Sequence, residues 1–316
     1  MEIIYINSIE DVKNYGELSI AHGFFDGVHK AHQRLISRAK SFADKYSILT
    51  GVVTFDKKYV YEHNKESFLK SLTISTLERR IELFEFFNID IVFVINFDIF
   101  RSMSAQDYIT KIISPIGTKN FVMGKDNFFG KDAIGNYQNI FEYANNDFEV
   151  DVVELVLENN VKISSSEIKN QIMNNNIENS NALLGYYYQI HGTVISGKQL
   201  GRTIGYPTTN LKVHDMVILP QVSAYATIVS IDNIFYESMT NIGYNPTTDF
   251  REDLSVETYI FDFDKEIYGK NVKLYFIAKI RDEEKFSNLN SLLKQLGRDE
   301  IKVREILDNI DLNMII

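Results

Sequence analysis

The sequence predicts two domains of different class: an α/β domain built on a parallel sheet, then an all-β domain, a barrel or sandwich, closed by a terminal helix. Three observations predict this. Up to about residue 165, short apolar runs alternate with amphipathic helix patterns, as strands joined by helical crossovers do. Beyond it, strand patterns follow strand patterns, and helical spacing returns only near the end, the mark of an antiparallel fold with a covering helix. The 316 residues also exceed what one hydrophobic core usually serves.

The elements follow in order. Residues 18–22, 48–55, 90–95, 121–124 and 150–157 read as strands. Their near-continuous Val, Ile and Phe content suits a sheet buried on both faces. Leu35, Ala39, Phe42 and Tyr46 step by four, three and four, which lays an apolar stripe along one helix face. Two more helices are expected to open on capping boxes, Ser75 with Glu78 and Ser104 with Asp107. Residues 165–173 read as a helix. The polar runs Asn174-Asn175-Asn176 and Glu178-Asn179-Ser180-Asn181 read as a linker, which sets the domains at 1–180 and 181–316. Strands are then expected at 186–195, 225–231, 234–239, 255–261 and 272–280, and a last helix along Phe286, Leu289, Leu292, Leu293 and Leu296.

Composition narrows the function. With 45% hydrophobic and 24% charged residues, the chain is in the globular range. The longest apolar runs, such as 89–95, are strand-sized, well short of the ~20 residues of a membrane span. Residues 1–5 carry no basic region before their apolar residues, so no signal peptide is expected. There is no cysteine, which excludes thiolate catalysis and Cys-type zinc sites and fits a cytoplasmic protein. A net charge of −10 should repel nucleic acid and anionic membrane. No obligate protein partner is evident. A small anionic substrate would need local positive charge or Mg²⁺.

In the first half, Ser19-Ile20-Ala21-His22-Gly23-Phe24-Phe25-Asp26-Gly27-Val28-His29-Lys30-Ala31-His32 runs from a strand through a glycine-punctuated turn into a helix. His29 and His32, three apart, share one face of the first helical turn, beside free backbone N–H groups and the positive dipole end. Imidazoles there would stabilise charge growing on a phosphate during transfer. Two alternatives stay open: ordinary surface histidines, or a zinc site, for which no third ligand lies nearby.

In the second half, Gly201-Arg202-Thr203-Ile204-Gly205-Tyr206-Pro207-Thr208-Thr209-Asn210 is expected as a loop between strands. Thr208 and Asn210 offer two neutral oxygens, which suit a hard cation such as Mg²⁺, and the glycines let backbone amides curl round phosphates. A plain turn uses the same residues. Residues 192–199 nearly match a Walker A loop, but Gln199 follows Lys198 where Ser or Thr must hold Mg²⁺. No two glycines are spaced two apart, so no Gly-x-Gly dinucleotide fingerprint exists. Around Glu257, a period of two sets Val256, Thr258 and Ile260 on one face and Glu257, Tyr259 and Phe261 on the other. A carboxylate among aromatics, partly desolvated, is a better proton acceptor; a solvent-facing strand residue is the alternative.

These segments together resemble the bacterial bifunctional riboflavin kinase/FAD synthetases. Residues 19–32 are similar to that family's Gly-x-Phe-Asp-Gly-x-His-x-Gly-His signature, shared with the wider HxGH nucleotidyltransferases, with Ala31 where the family has glycine. Val53-Thr54-Phe55-Asp56 resembles its second strand, with Lys57 and Lys58 in place of His-Pro. Gly124-Lys125-Asp126-Asn127-Phe128-Phe129-Gly130 resembles its flavin-side motif, with Asn127 in place of an aromatic, and Ser164-Ser165-Ser166-Glu167-Ile168-Lys169 its Ser-Ser-Thr-x-x-Arg motif, with lysine for arginine. Residues 201–210 resemble Gly-Arg-Thr-x-Gly-x-Pro-Thr-Ala-Asn of riboflavin kinases. Asn241-Ile242-Gly243-Tyr244-Asn245-Pro246-Thr247 and the strand around Glu257 follow in the family's order.

The resemblance implies a Rossmann-like nucleotidyltransferase domain and a six-stranded barrel. It implies a transferase that uses ATP as co-substrate twice, phosphorylating riboflavin to FMN and adenylylating FMN to FAD. Thr208 and Asn210 would hold Mg²⁺ and phosphates, and Glu257 would accept the hydroxyl proton. Gly197 and Gly201 would meet nucleotide in the same domain. His29, His32, Ser165 and Lys169, with Gly23 and Phe25, would hold the second ATP, and Asp126 and Asn127 the flavin. Two other readings stay open: a riboflavin kinase with a degenerate first domain, and a non-catalytic flavin-binding regulator.

Overall fold

The computed structural model describes residues 1–56, 71–158, 160–197, 205–244 and 254–316. The first six strands are β1 (Glu2–Ile6), β2 (Leu18–His22), β3 (Leu49–Asp56), β4 (Ile91–Asn96), β5 (Thr118–Gly124) and β6 (Glu149–Val153). They form one sheet in the order β1–β4–β3–β2–β5–β6, and every neighbouring pair is parallel. All five residues of β2 are buried, as a strand with neighbours on both edges and helices over both faces requires. β1 was not expected. It is an edge strand with Ile3 and Tyr5 exposed, so it lacks the continuous buried run that marks the others. β6 ends at Val153, four residues early; Leu157–Glu158 (β7) pairs instead with Val161–Lys162 (β8) in a small antiparallel hairpin.

The crossovers include α1 (Lys30–Tyr46), α2 (Leu77–Phe86), α3 (Ala105–Tyr108, followed by a π turn over Ile109–Ile113) and α4 (Ile140–Ala144). α1 buries Leu35, Ile36, Ala39 and Ala43, a stripe shifted from the expected one, and leaves Tyr46 exposed. Ser104 caps α3 by accepting from the Asp107 N–H. The Ser75–Glu78 box does not form. Thr76 caps α2, accepting from the Arg79 N–H at 3.2 Å, and Ser75 is diverted to the loop after β2.

Two helices precede the second sheet, α5 (Ser165–Met173) and α6 (Ile177–Leu184). The Asn-rich stretch expected as a linker is therefore largely helical. Asn181, 3% exposed, is a cross-brace: its side chain donates to the Phe276 and Ile277 carbonyls and accepts from the Tyr188 N–H. Gly185, at φ 81°, ends α6 in the left-handed conformation that glycine adopts without strain.

Strands β9 (Tyr188–Ile195), β10 (Thr208–Val213), β11 (Ser223–Ile231), β12 (Ile234–Tyr244), β13 (Leu254–Ile260) and β14 (Asn271–Asp282) close into a barrel in the order β10–β13–β12–β11–β14–β9. Every pairing is antiparallel. The terminal helix α7 (Leu289–Leu307) covers one outer face, with Val303 and Leu307 packed among Ala226, Ile228, Met239 and Tyr275. β10 corrects the loop expected at 201–210: Thr208, Thr209 and Asn210 are its first residues, while Gly201 lies outside the described residues. The strand was hidden because its inward partners are polar. Thr227, Ser238, Thr240 and Thr258, all buried, hydrogen-bond one another through their hydroxyls inside the barrel at 2.8–2.9 Å.

The chain divides into two compact units. The first holds the described residues of Met1–Tyr61 and Ser75–Ser165, the second those of Glu62–Ile74 and Ser166–Ile316. Thr73 belongs to the second through a parallel bridge to Val217.

Candidate active site

Strand order locates the first site. From β2 the chain turns to one side for β3 and β4 and to the other for β5 and β6. Ligands of open parallel sheets bind outside the carboxyl ends of the strands at such a reversal. A cavity of about 550 Å³ lies there, lined by Gly23, Phe24, His29, Ala31 and His32 after β2, by Asp126 and Asn127 after β5, and by Ser165. It is of the size that takes a small organic ligand. Phe55, Phe97, Phe100, Tyr108, Phe128 and Phe129 give it an aromatic wall.

The loop from β2 to α1 is strained and multiply held. Phe25, Gly27 and Val28 all have positive φ, at 59°, 78° and 36°. For β-branched Val28 that is a true outlier, of the kind surrounding structure must enforce. The enforcement is visible. Ser75 Oγ accepts from the Gly27 N–H at 2.8 Å, and the Ser75 N–H donates to Asp26 Oδ1 at 3.1 Å. Ser165 Oγ donates to the Asp26 carbonyl at 2.9 Å. Arg80, 1% exposed, donates to the carbonyls of Phe24 and Phe55 and to Thr54 Oγ1. Phe25, expected at the nucleotide, is fully buried instead, its ring packed on His32 and Phe84, so it can offer only backbone to the cavity.

His29 is the N-cap of α1. Its Nδ1 accepts from the His32 N–H at 3.4 Å, which leaves a neutral ring its proton on Nε2. The two imidazoles stack at 3.6 Å between centroids. Burial pushes His29 down to about 4, against the opposing pull of Asp26 and Asp126. Burial, then the charge of His29 and of Arg80, pushes His32 well below its ordinary range. The pair is therefore neutral near pH 7. His32 Nδ1 is buried with no hydrogen-bond partner among the described residues, an unsatisfied polar atom that a bound anion's shell could relieve. Asp126 pairs with Lys162 at 2.6 Å. Lys169 is one helical turn beyond Ser165 on α5, in the second unit, and is not among the cavity's lining residues.

In the barrel, register does the assembling. Asn210 on β10 lies opposite Glu257 on β13, and Asn241 on β12 lies opposite the same Glu257. Thr208 faces Tyr259. Directly opposed side chains are ~5 Å apart at Cβ, so Asn210, Glu257 and Asn241 form one row on the outer face, while Thr209, Thr258 and Thr240 form the next, inward row. Glu257 is half-buried. A Cβ on Gly197 would come within 2.0 Å of Asn210 Nδ2, so only glycine lets that amide lie against the chain. The donors fit Mg²⁺ by chemistry: two neutral oxygens and a neighbouring carboxylate, all hard ligands. Asn241 joins the row of Glu257, a placement that its sequence motif does not show. Arg80 carried no signal, since Arg79-Arg80 in a helix reads as an exposed face, while Thr54 and Ser75 stood out only as a strand residue and an expected helix cap.

A nucleotide-type α/β unit and a closed antiparallel barrel in one chain, each with a cluster of candidate catalytic residues, define a two-site protein of the nucleotide-transfer class. Comparison with known proteins makes this particular. A family profile described as FAD synthetase matches residues 12–167, and one described as riboflavin kinase matches 184–307. A bifunctional riboflavin kinase/FMN adenylyltransferase of Listeria monocytogenes is 34% identical over 98% of this chain and 100% of its own. One of Bacillus subtilis is 32% identical over 92% of this chain and 93% of its own. A crystal structure of a macrolide-efflux protein from Streptococcus pneumoniae superposes with TM-score 0.87 at 30% identity, covering 98% of this chain and all of that one. Among the described residues no helix is long and apolar enough to cross a membrane. The chain belongs to the bifunctional riboflavin kinase/FMN adenylyltransferase family.

Proposed function

We propose that this chain converts riboflavin to FMN at residues 181–316 and FMN to FAD at residues 1–180, using one ATP at each step. The observation that carries this is the presence in one chain of both family regions, 12–167 and 184–307. In the first step the ribityl 5′-hydroxyl attacks the γ-phosphorus of ATP, ADP leaves, and Glu257 takes the hydroxyl proton. Such transfer is mainly positioning and charge stabilisation. Thr208 and Asn210 would hold Mg²⁺, which when bound neutralises phosphate charge, and Gly197, with Gly201, would border the nucleotide.

In the second step an FMN phosphate oxygen attacks the α-phosphorus of ATP and pyrophosphate leaves. His29 and His32, neutral and stacked beside the N-terminus of α1, would donate to phosphate oxygens as charge develops there. Ser165, Gly23 and the Phe25 backbone would complete the nucleotide end, and Asp126 and Asn127 the flavin end. The aromatic wall suits a flat tricyclic ring. A cytoplasmic setting, where ATP is plentiful, belongs to the same proposal.

The test is to incubate the purified protein with riboflavin, ATP and Mg²⁺ and separate the flavins by chromatography. FMN appearing first and FAD after it is expected. FMN without FAD leaves a kinase only, and neither product leaves a flavin binder.

A further inference from the structure

Behind the wall of the first-unit cavity sits a histidine that the proposed mechanism does not use. His22, the last residue of β2, is 1% exposed. The rings of Phe55, Tyr108, Phe121 and Phe129 pack around it. Two cavity-lining residues meet its two ring nitrogens: Tyr108 Oη is 3.0 Å from Nε2, and Asn127 Nδ2 is 3.3 Å from Nδ1. Asn127 Nδ2 also lies 2.8 Å from the His22 carbonyl oxygen.

These distances assign the protons. A backbone carbonyl only accepts, so the Asn127 atom beside it is the amide nitrogen. Its second N–H then faces Nδ1, which must be bare. A neutral imidazole with a bare Nδ1 carries its proton on Nε2 and donates it to Tyr108 Oη. Burial holds His22 down at about 3, so the ring is neutral at any working pH. With both N–H groups of Asn127 engaged by His22, its carboxamide oxygen is left for the cavity, and it has no partner among the described residues.

We infer that His22 is a positioning residue that locks the Asn127 amide with its oxygen toward the ligand, and that this oxygen accepts the imide N–H of the flavin ring. The inference rests on the cavity being the FMN site proposed above. The dimethylbenzene end of an isoalloxazine has no N–H, whereas its pyrimidine end has one ring N–H between two carbonyls. A freely flipping amide could face those carbonyls with its NH₂ instead. His22 removes that choice, and specificity gains from the removal of alternatives.

Two measurements on the full-length protein decide it. Isotope-labelled histidine in the flavin-free protein near neutral pH should show His22 protonated on Nε2 alone; an Nδ1–H ring or an imidazolium overturns the inference. FMN affinity, read by quenching of flavin fluorescence, is then compared for wild type, His22→Leu, Asn127→Leu and the double variant. Each single change should weaken FMN about 10-fold, the worth of one hydrogen bond. The double should be no weaker than either single, because His22 acts through Asn127. KM for FMN should follow affinity while kcat stays within about threefold, as for lost uniform binding. Single variants that bind like wild type, or losses that multiply to about 100-fold, overturn it. If His22→Leu does not fold, Asn127→Leu and the tautomer still decide. A wild type with the expected tautomer that binds no FMN removes the flavin reading of the cavity itself, and the ligand named here with it.

Discussion

Glu257 shares its row with two amides, Asn210 and Asn241. Glu257→Gln keeps the shape and removes the base. FMN formation from riboflavin should fall by roughly 10²–10⁴-fold, while FAD formation from supplied FMN stays at wild-type rate; a variant with normal FMN formation would return Glu257 to an ordinary strand position. The histidines make a second prediction. His29 is held at about 4 in the folded chain against 6.5 for a free imidazole. Between those values the unfolded chain binds more protons, so stability falls as pH drops through that window. His22, held at about 3, extends the fall below it. Denaturant midpoints measured from pH 7 downward should therefore decline, and less steeply in His29→Ala. Equal slopes would mean that His29 is not neutral in the fold.

At the scale of elements, Arg80 on α2 ties the loop after β2 to the end of β3 through three hydrogen bonds. Arg80→Met keeps the apolar stem and drops the fork. It should cost about 3 kcal/mol or more, as losing a buried hydrogen-bonded charge does. It should lower the thermal midpoint and FAD synthesis together and spare FMN synthesis. Arg80→Lys should not rescue, since a compact ammonium lacks the fixed fork with which the guanidinium reaches these acceptors. A thermal midpoint equal to wild type would remove Arg80 as the tie. None of this was readable beforehand. The buried central strands were legible because packing on both faces leaves no room for polar residues. β1 escaped because an edge strand can expose half its side chains, and β10 because the barrel interior it borders is lined by hydroxyls. The linker was misread because asparagine is common in loops, yet Asn181 is a buried brace. Of the sites, His29, His32, Asn210 and Glu257 stood out through the motifs that resemble the family's, while spacing alone left each of them open. The residues that hold them, including Thr54, Ser75 and Arg80, act through contacts that join distant segments, which spacing cannot show.

For the whole molecule, each proposed step draws on its own set of residues, which predicts complementation. His29→Ala/His32→Ala should make FMN and stop there. Glu257→Gln should use supplied FMN and ignore riboflavin. Mixed, the two should produce FAD from riboflavin after a lag while free FMN accumulates, followed by chromatography over time. A mixture that makes no FAD would show that FMN does not pass between molecules through solution.

β11 carries one more consequence. All nine of its residues are buried, and it is paired along both edges, to β12 and to β14. Its N–H groups point alternately to the two neighbours, so exposing all of them requires both pairings to open. Its amides meet deuterium only when the closed sheet opens as a body, so their uptake is a clock for unfolding of the second unit. The same clock on β2, all of whose residues are buried in the parallel sheet, runs for the first unit. The ratio of the two rates measures whether the chain melts in one cooperative event or in two.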